Sequence, residues 1–311
     1  MAAIRHIIES QQFDRAFLTE LFQRAEELHA KGWSGDLNRV VLASLFYEPS
    51  TRTRFSFEAA MHRLGGHVVT TENAREFSSF AKGESLEDTI RVLSGYSDVI
   101  VMRHYEIGAA KRAAEIATVP ILNAGDGAGQ HPTQALLDLF TLQRRFRRVD
   151  GLKVAFVGDL RYGRTVRSLT YLLAKYRDVE LVFVAPPVCQ MHDDIKAYLD
   201  RNAVRWREES DLDAVLPVVD CVYMTRIQKE RFLDKREYER ADNVYRMTPE
   251  NVARMRSEAI VMHPLPRVNE IDPAVDADPR AHYFEQARNG LWIRMAVILY
   301  VLGKWGEDFH E

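Results

Sequence analysis

Residues 48–58 read "EPSTRTRFSFE" and place two arginines where a helix should begin. Ser50 and Thr51 are residue types that cap free N–H groups, and Pro49 disfavours helix before it. The first turn then carries Arg52 and Arg54, although a helix N-terminus already bears about half a positive charge and favours Asp or Glu. Two readings account for this. Either both guanidinium groups point into water at a penalty of a few tenths of a kcal/mol, or an anion from outside the chain belongs there. Similar groups recur: Arg103 after "DVIVM", His131 after "PILNAGDGAGQ", Arg164 after "VAFVGDL", Arg226 after "CVYMT", and "HPLPR" after "AIVM". Arginine is a planar, permanently charged fork suited to phosphates and carboxylates. Arg52, Arg103, Arg164, Arg226 and Arg267, with Lys82, therefore describe a site for a ligand of several negative charges, and catalysis by positioning and electrostatics rather than by a covalent intermediate. No serine sits in a G-x-S-x-G elbow, no His/Cys/Asp spacing marks a metal, and no G-x-G-x-x-G follows a strand.

One rival motif is present. "GDLRYGRT" (158–165) copies the spacing G-x-x-x-x-G-K-[ST] of a phosphate-binding loop, and "AVLPVVD", ending at Asp220, resembles the acidic strand of a nucleotide hydrolase. Against that reading, Arg164 stands where the lysine belongs, and the cationic groups at the other positions are left without a task.

These residues share a position in the pattern. Strand-length apolar runs "RVVLASLF", "HVVTT", "DVIVMRH" and "VPILNAG" alternate with helical patterns near 51–64, 86–95 and 107–117, after a first amphipathic helix capped by Asp14 and stapled by Phe13 and Leu18. A helix over 132–146 ends in the polar segment "RRFRRVDG", whose arginines Arg144, Arg145, Arg147 and Arg148 suit a helix C-terminal turn. Alternation restarts with "LKVAFVGDL", "VELVFVAPP", "VVDCVYMT" and "EAIVMHPLP", and a last helix covers about 284–303. The expected fold is α/β, with two domains, each a parallel β-sheet flanked by helices, divided as 1–146 plus the C-terminal helix 286–311, and 147–285. In open parallel sheets ligands bind beyond the carboxyl ends of the strands. The cationic residues follow strand after strand, which favours the binding reading of Arg52 and predicts an active site in a cleft between domains.

Bulk properties exclude several classes. With 311 residues and a net charge of −3, the chain has no bulk basic field for nucleic acid or acidic membranes. The longest apolar stretch, 291–302, is interrupted by Arg294 and is shorter than the ~20 residues that span a bilayer. Cys189 and Cys221 are too few for a disulfide framework and read as buried free thiols; with no signal peptide in the sequence, a cytoplasmic location is expected.

The blocks "FYEPSTRTRFSFEAAMHRLGG", "SSFAKGESLEDT", "VMRH", "NAGDGAGQHPTQALLDLFT", "GDLRYGRTVRS", "YMTRIQKER" and "HPLPR" together resemble the catalytic chains of the aspartate carbamoyltransferase family over essentially the whole length. The first block is shared with ornithine carbamoyltransferases, whereas "HPTQ" and "HPLPR" match the aspartate branch; a carbamoyltransferase for another amine such as ornithine is the nearest alternative. The resemblance implies that carbamoyl phosphate and L-aspartate give N-carbamoyl-L-aspartate and phosphate, a step of pyrimidine synthesis, without cofactor or metal. It further implies carbamoyl phosphate binding by Ser50, Thr51, Arg52, Thr53, Arg103, His131 and Gln134. Of these, Thr53, Arg103 and His131 would donate to the carbonyl oxygen, and Gln134 would orient the NH₂ with the Pro264 carbonyl. Aspartate would be held by Arg164, Thr165, Arg226, Gln228, the Leu265 backbone and Lys82. Arg54 would make a structural ion pair near a subunit boundary, and the bond joining Leu265 to Pro266 would be cis. By spacing alone Lys82 lies on a polar surface loop; the resemblance instead implies that Ser78, or its neighbour Ser79, and Lys82 enter the neighbouring subunit's site in a homotrimer, to which regulatory chains or other pathway enzymes could attach.

Overall fold

The computed structural model describes residues 5–32, 37–228, 234, 236, 241 and 244–305. Within the expected segments, Lys229, Glu230 and Arg231 of "YMTRIQKER" and residues 306–311 of the C-terminal stretch lie outside them. The chain divides into two compact units, one comprising 1–140 with 288–311 and the other comprising 141–287.

In the first unit, α1 (Arg15–Lys31) starts at Asp14, whose carboxylate accepts from the Phe17 N–H at 2.8 Å, and buries Leu18, Leu21, Phe22, Ala25 and Leu28. Strands β1 (Val41–Phe46), β2 (His67–Glu72), β3 (Val99–His104) and β4 (Ile121–Asp126) form a sheet of order β2-β1-β3-β4 in which every pairing is parallel. Helices α2 (Thr51–Arg63), α3 (Ala74–Phe77), α4 (Leu86–Ser94) and α5 (Ala109–Ile116) supply the crossovers, and α6 (Pro132–Phe146) follows β4. Strands β1, β3 and β4 are buried almost throughout, as parallel strands covered on both faces must be, whereas β2 is an exposed edge. Leu45, Ile90, Ile100, Met102, Ala113 and Ile121 pack in one apolar cluster of this unit.

The second unit repeats the plan. Strands β5 (Lys153–Val157), β6 (Glu180–Val184), β7 (Arg205–Glu209), β8 (Cys221–Met224) and β9 (Ile260–Met262) take the order β7-β6-β5-β8-β9, again all parallel. They alternate with α7 (Arg164–Leu173), α8 (Asp193–Arg201), α9 (Leu212–Val215) and α10 (Pro249–Arg254); α11 (Tyr283–Val301) begins in this unit, and its residues from 288 on belong to the first. Strand β7, "RWREE", has no apolar run to announce it and is a charged edge. No helix among the described residues is long and apolar enough to cross a membrane, and Cys189 and Cys221 are buried free thiols.

Candidate active site

Because each sheet is wholly parallel, all its carboxyl ends lie on one edge, and the flagged residues of each unit fall on that edge. In the first unit, Ser50 to Thr53 follow β1, Ser78 and Lys82 follow β2, Arg103 is the penultimate residue of β3, and His131 and Gln134 follow β4. Ser50 occupies the N-cap position of α2, yet its hydroxyl makes no capping bond; it accepts instead from Arg103 Nη1 at 3.2 Å. Arg103 pairs across the sheet with Phe46 and sits where the β3–β4 register shifts, a device that re-aims a side chain at a strand end. Its Nε lies 3.4 Å from the Glu48 carboxylate, so the guanidinium is anchored beside the start of α2.

The two arginines of the opening turn have separate fates. Arg54 binds Glu72 at the end of β2 at 3.0 Å and approaches Glu58 at 3.7 Å. Glu58 also accepts from Ser44 and Thr70, so this cluster ties α2 to β1 and β2. Arg52 makes no ion pair or side-chain hydrogen bond among the described residues. Its side chain reaches solvent, while the protein atoms around it remove part of its hydration and lower its pKa from the usual arginine value; at neutral pH it is still a cation. Next to it Thr53 is buried with its Oγ1 3.5 Å from His131 Nε2. Arg103 thus reaches the Ser50 hydroxyl, and Thr53 meets the His131 imidazole, at the ends of three neighbouring strands.

Ser78 caps the short 3-10 turn Ser79–Lys82 by accepting from the Phe80 N–H at 3.1 Å, and its hydroxyl donates to the Ala74 carbonyl. Lys82 is exposed and has no ion pair among the described residues.

In the second unit, Arg164 and Thr165 are the first two residues of α7, Arg226 and Gln228 follow β8, and His263 to Arg267 follow β9. Asp159, which was not singled out from sequence, connects the first two segments. It is fully buried; its Oδ1 accepts from the Tyr162 N–H at 2.9 Å, and its Oδ2 accepts from the Gln228 N–H at 3.3 Å and side-chain amide at 3.5 Å. Burial pushes its carboxyl above the usual range, and the Tyr162 and Gln228 hydrogen bonds oppose that. Gly158 makes this approach possible: its φ is +112°, and a Cβ there would lie 2.4 Å from the Thr225 carbonyl oxygen. The same carboxylate argues against a phosphate-binding loop in "GDLRYGRT". Inward N–H groups that would cradle phosphate are already taken, with Asp159 N–H donating to Thr225, Leu160 N–H to Cys189, and Tyr162 N–H to Asp159 itself. Asp220 precedes β8, at the sheet edge opposite Arg164, where it accepts from Arg256 and from the Lys153 N–H.

The "HPLPR" segment has an internal brace. The Leu265 N–H donates to His263 Nδ1 at 2.7 Å, which requires the proton on Nε2, where Glu270 accepts at 2.7 Å. Burial raises the Glu270 pKa, but the hydrogen bonds from His263 and from the Val268 N–H outweigh it and hold the group below its usual range. The bond joining Leu265 to Pro266 is cis, as expected, and Leu265 has a φ of +50°. Arg267 departs from the sequence reading. Its guanidinium forks onto Asp276, with Nη2 at 2.6 Å from Oδ2, and reaches the Tyr283 hydroxyl at 3.1 Å, so its charge is spent within the protein. No group of three or more His, Cys, Asp or Glu among the described residues has metal-binding geometry.

The family description "Aspartate/ornithine carbamoyltransferase, carbamoyl-P binding domain" matches residues 5–144, and "Aspartate/ornithine carbamoyltransferase, Asp/Orn binding domain" matches residues 150–301. The chain is similar to the chloroplastic aspartate carbamoyltransferase 1 of Pisum sativum, with 58% identity covering 96% of this chain and 79% of that one. Among solved structures it resembles the aspartate transcarbamoylase of Trypanosoma cruzi in complex with carbamoyl phosphate and aspartate, with 42% identity, 94% and 95% coverage and a TM-score of 0.90. It also resembles the aspartate transcarbamoylase catalytic subunit of M. jannaschii, with 47% identity, 98% and 100% coverage and a TM-score of 0.88. The chain therefore belongs to the aspartate/ornithine carbamoyltransferase family, and within it to the aspartate carbamoyltransferases.

Proposed function

We propose that this chain transfers the carbamoyl group of carbamoyl phosphate to the amino group of L-aspartate, giving N-carbamoyl-L-aspartate and phosphate in pyrimidine synthesis. The observation that carries this reading is the grouping at the first unit's strand ends: Arg103 on the Ser50 hydroxyl at 3.2 Å and Thr53 at 3.5 Å from His131. Ser50, Thr51, Arg52 and Arg103 hold the phosphate, with N–H groups of the α2 N-terminus adding partial positive charge. Thr53, His131 and Arg103 donate to the carbonyl oxygen. As the aspartate amine attacks the carbonyl carbon, negative charge grows on that oxygen, and each preorganised donor lowers the barrier by about 3 kcal/mol. The new N–C bond forms, the C–O bond to phosphate breaks, phosphate leaves with the electron pair, and it accepts the amine proton. No protein base is required, and His131 acts as an electrophilic donor.

Aspartate brings two carboxylates, for which Arg164, Thr165, Arg226, Gln228 and the Leu265 backbone are the partners. Asp159 and His263 keep those segments in place. Ornithine's cationic side chain meets guanidinium groups there, so charge alone disfavours it. Ser78 and Lys82 serve the site of a neighbouring subunit in a homotrimer; in support, the segment holding them follows the exposed edge strand β2, and Phe77 beside it is 78% exposed. Mixing inactive Lys82→Ala and Arg52→Ala chains tests that arrangement, since mixed trimers regain activity only if sites are shared. A cytoplasmic location belongs to the same proposal; some relatives are named chloroplastic, and cell fractionation decides. The activity itself is tested by incubating the purified chain with carbamoyl phosphate and either aspartate or ornithine. Ureido product from aspartate alone supports the reading, and product from ornithine alone overturns it.

A further inference from the structure

The carbamoyl group has two arms of similar size, C=O and NH₂, which differ in hydrogen-bond polarity. Gln134, in the first turn of α6, is 9% exposed, and its Nε2 donates to Asp138 Oδ1 at 2.8 Å one turn further on. That bond turns the amide nitrogen toward Asp138 and the amide oxygen away from it; a carboxylate accepts, so the flipped amide would set two acceptor oxygens against each other. Asp138 is fully buried.

Asp138 attracts the charge of Arg294 on α11. Its residue is 3% exposed, and its guanidinium lies 5.0 Å from the ring centroid of Phe57 on α2. Burial pulls the Arg294 pKa down to about 10, against the attraction of Asp138, so it is a cation at neutral pH. The seat for this group is built by Gly290: a Cβ there would lie 2.4 Å from Arg294 Nη1 and 3.0 Å from Leu137 Cδ2. Glycine within a helix is a poor helix former, so the room it leaves has to serve Arg294. Burying a charge is costly and seldom a net gain over apolar residues of equal volume, which points away from stability as the reason for placing Arg294 here.

We propose that Arg294 and Asp138 are a positioning pair that locks the Gln134 amide with its oxygen toward the carbamoyl group, so that the site prefers an NH₂ arm to a methyl. This rests on the carbamoyl-transfer reading. The probe is acetyl phosphate, which has the same charge and nearly the same size but carries CH₃ in place of NH₂. In wild type, Asp138→Asn, Gln134→Ala and Arg294→Lys, kcat/KM for carbamoyl phosphate is compared with the inhibition constants of acetyl phosphate and inorganic phosphate. Asp138→Asn is expected to lower kcat/KM for carbamoyl phosphate about tenfold, the scale of one net hydrogen bond, with the two inhibition constants changed less than about twofold. Gln134→Ala narrows the ratio equally, and adding Asp138→Asn to it has no further effect on the ratio. Arg294→Lys, which keeps the charge, retains most of the selectivity. Should Asp138→Asn fail to fold because it leaves the Arg294 charge unpaired, the double variant Asp138→Asn/Arg294→Met removes that charge and gives the same readout. A folded variant that keeps the wild-type ratio, or weakens all three ligands alike, overturns the proposal. Wild-type protein that does not carbamoylate aspartate overturns the functional reading instead.

Discussion

Replacing Arg52 and Arg54 separately by alanine should produce opposite phenotypes from residues two positions apart. Arg54 is held by Glu72 at 3.0 Å and Glu58 at 3.7 Å, with side-chain exposures of 14% for the arginine, 43% for Glu72 and 16% for Glu58. Exposed pairs contribute up to about 1 kcal/mol and breaking a buried pair costs about 3–5 kcal/mol. This half-buried cluster falls between, at about 1–3 kcal/mol, because Glu58 keeps its bonds from Ser44 and Thr70 and is not stranded. At about 2–4 °C per kcal/mol, Arg54→Ala should melt roughly 2–12 °C lower while the folded protein keeps its kcat. Arg52 contributes no such pair. Removing it takes one positive charge from a helix N-terminus, worth a few tenths of a kcal/mol in favour of the variant, so the melting temperature should stay level or rise slightly. Activity should collapse, since a phosphate left without its guanidinium loses about 2–5 kcal/mol, or ~30-fold to several thousand-fold in kcat/KM. Thermal melts followed by circular dichroism and a colorimetric ureido assay read both effects. An Arg52→Ala protein with wild-type kcat/KM, or an Arg54→Ala protein that melts like wild type, would refute the reasoning.

Thr53→Val and His131→Ala should each lower kcat about 10²–10³-fold with modest change in melting temperature, measured by steady-state kinetics at saturating substrates. Asp159→Asn should raise KM for aspartate about tenfold or more by loosening the Tyr162 and Gln228 segments, with KM for carbamoyl phosphate little changed. Because burial raises the folded pKa of Asp159, its contribution to stability is complete below the ordinary carboxylate pKa and declines as pH rises through the folded value. Asp159→Asn should flatten that decline in melts taken across acidic pH. Glu270 has the reverse sign: its folded pKa is lowered, so its contribution is present above the ordinary glutamate value and is lost as pH falls through the folded one. Glu270→Gln should therefore reduce the acid-side loss of stability and, by releasing His263, raise KM for aspartate.

Much of the architecture was legible because parallel strands covered on both faces are written as short apolar runs, and their crossovers as amphipathic helices. The helix read at 132–146 is α6, and the runs "DVIVMRH" and "VELVFVAPP" contain β3 and β6. What periodicity could not show was β7, whose residues "RWREE" lie at a charged sheet edge. The placing of the cationic residues at the carboxyl edges of the sheets was legible from the rule that ligands sit beyond carboxyl ends of strands, applied six times along the chain. The acidic side was not. Glu48 on Arg103, Asp159 on Gln228 and Asp276 on Arg267 depend on folding, which brings together groups that local spacing does not relate. The same gap explains both the overcounting of Arg267 and the pull of "GDLRYGRT" toward a phosphate loop: a carboxylate supplied from within the protein satisfies the donors that a sequence pattern leaves open.

Carbamoyl transfer requires addition of the aspartate amine at the carbonyl carbon, with phosphate departing intact. Carbamoyl phosphate labelled with ¹⁸O in the bridging C–O–P position, incubated with the purified chain and aspartate, tests it through the ³¹P spectrum of the released phosphate. Every phosphate should retain the ¹⁸O, and one N-carbamoyl-aspartate should form for each phosphate released. Label missing from phosphate, or phosphate released without ureido product, would mean attack at phosphorus or simple hydrolysis and would contradict it.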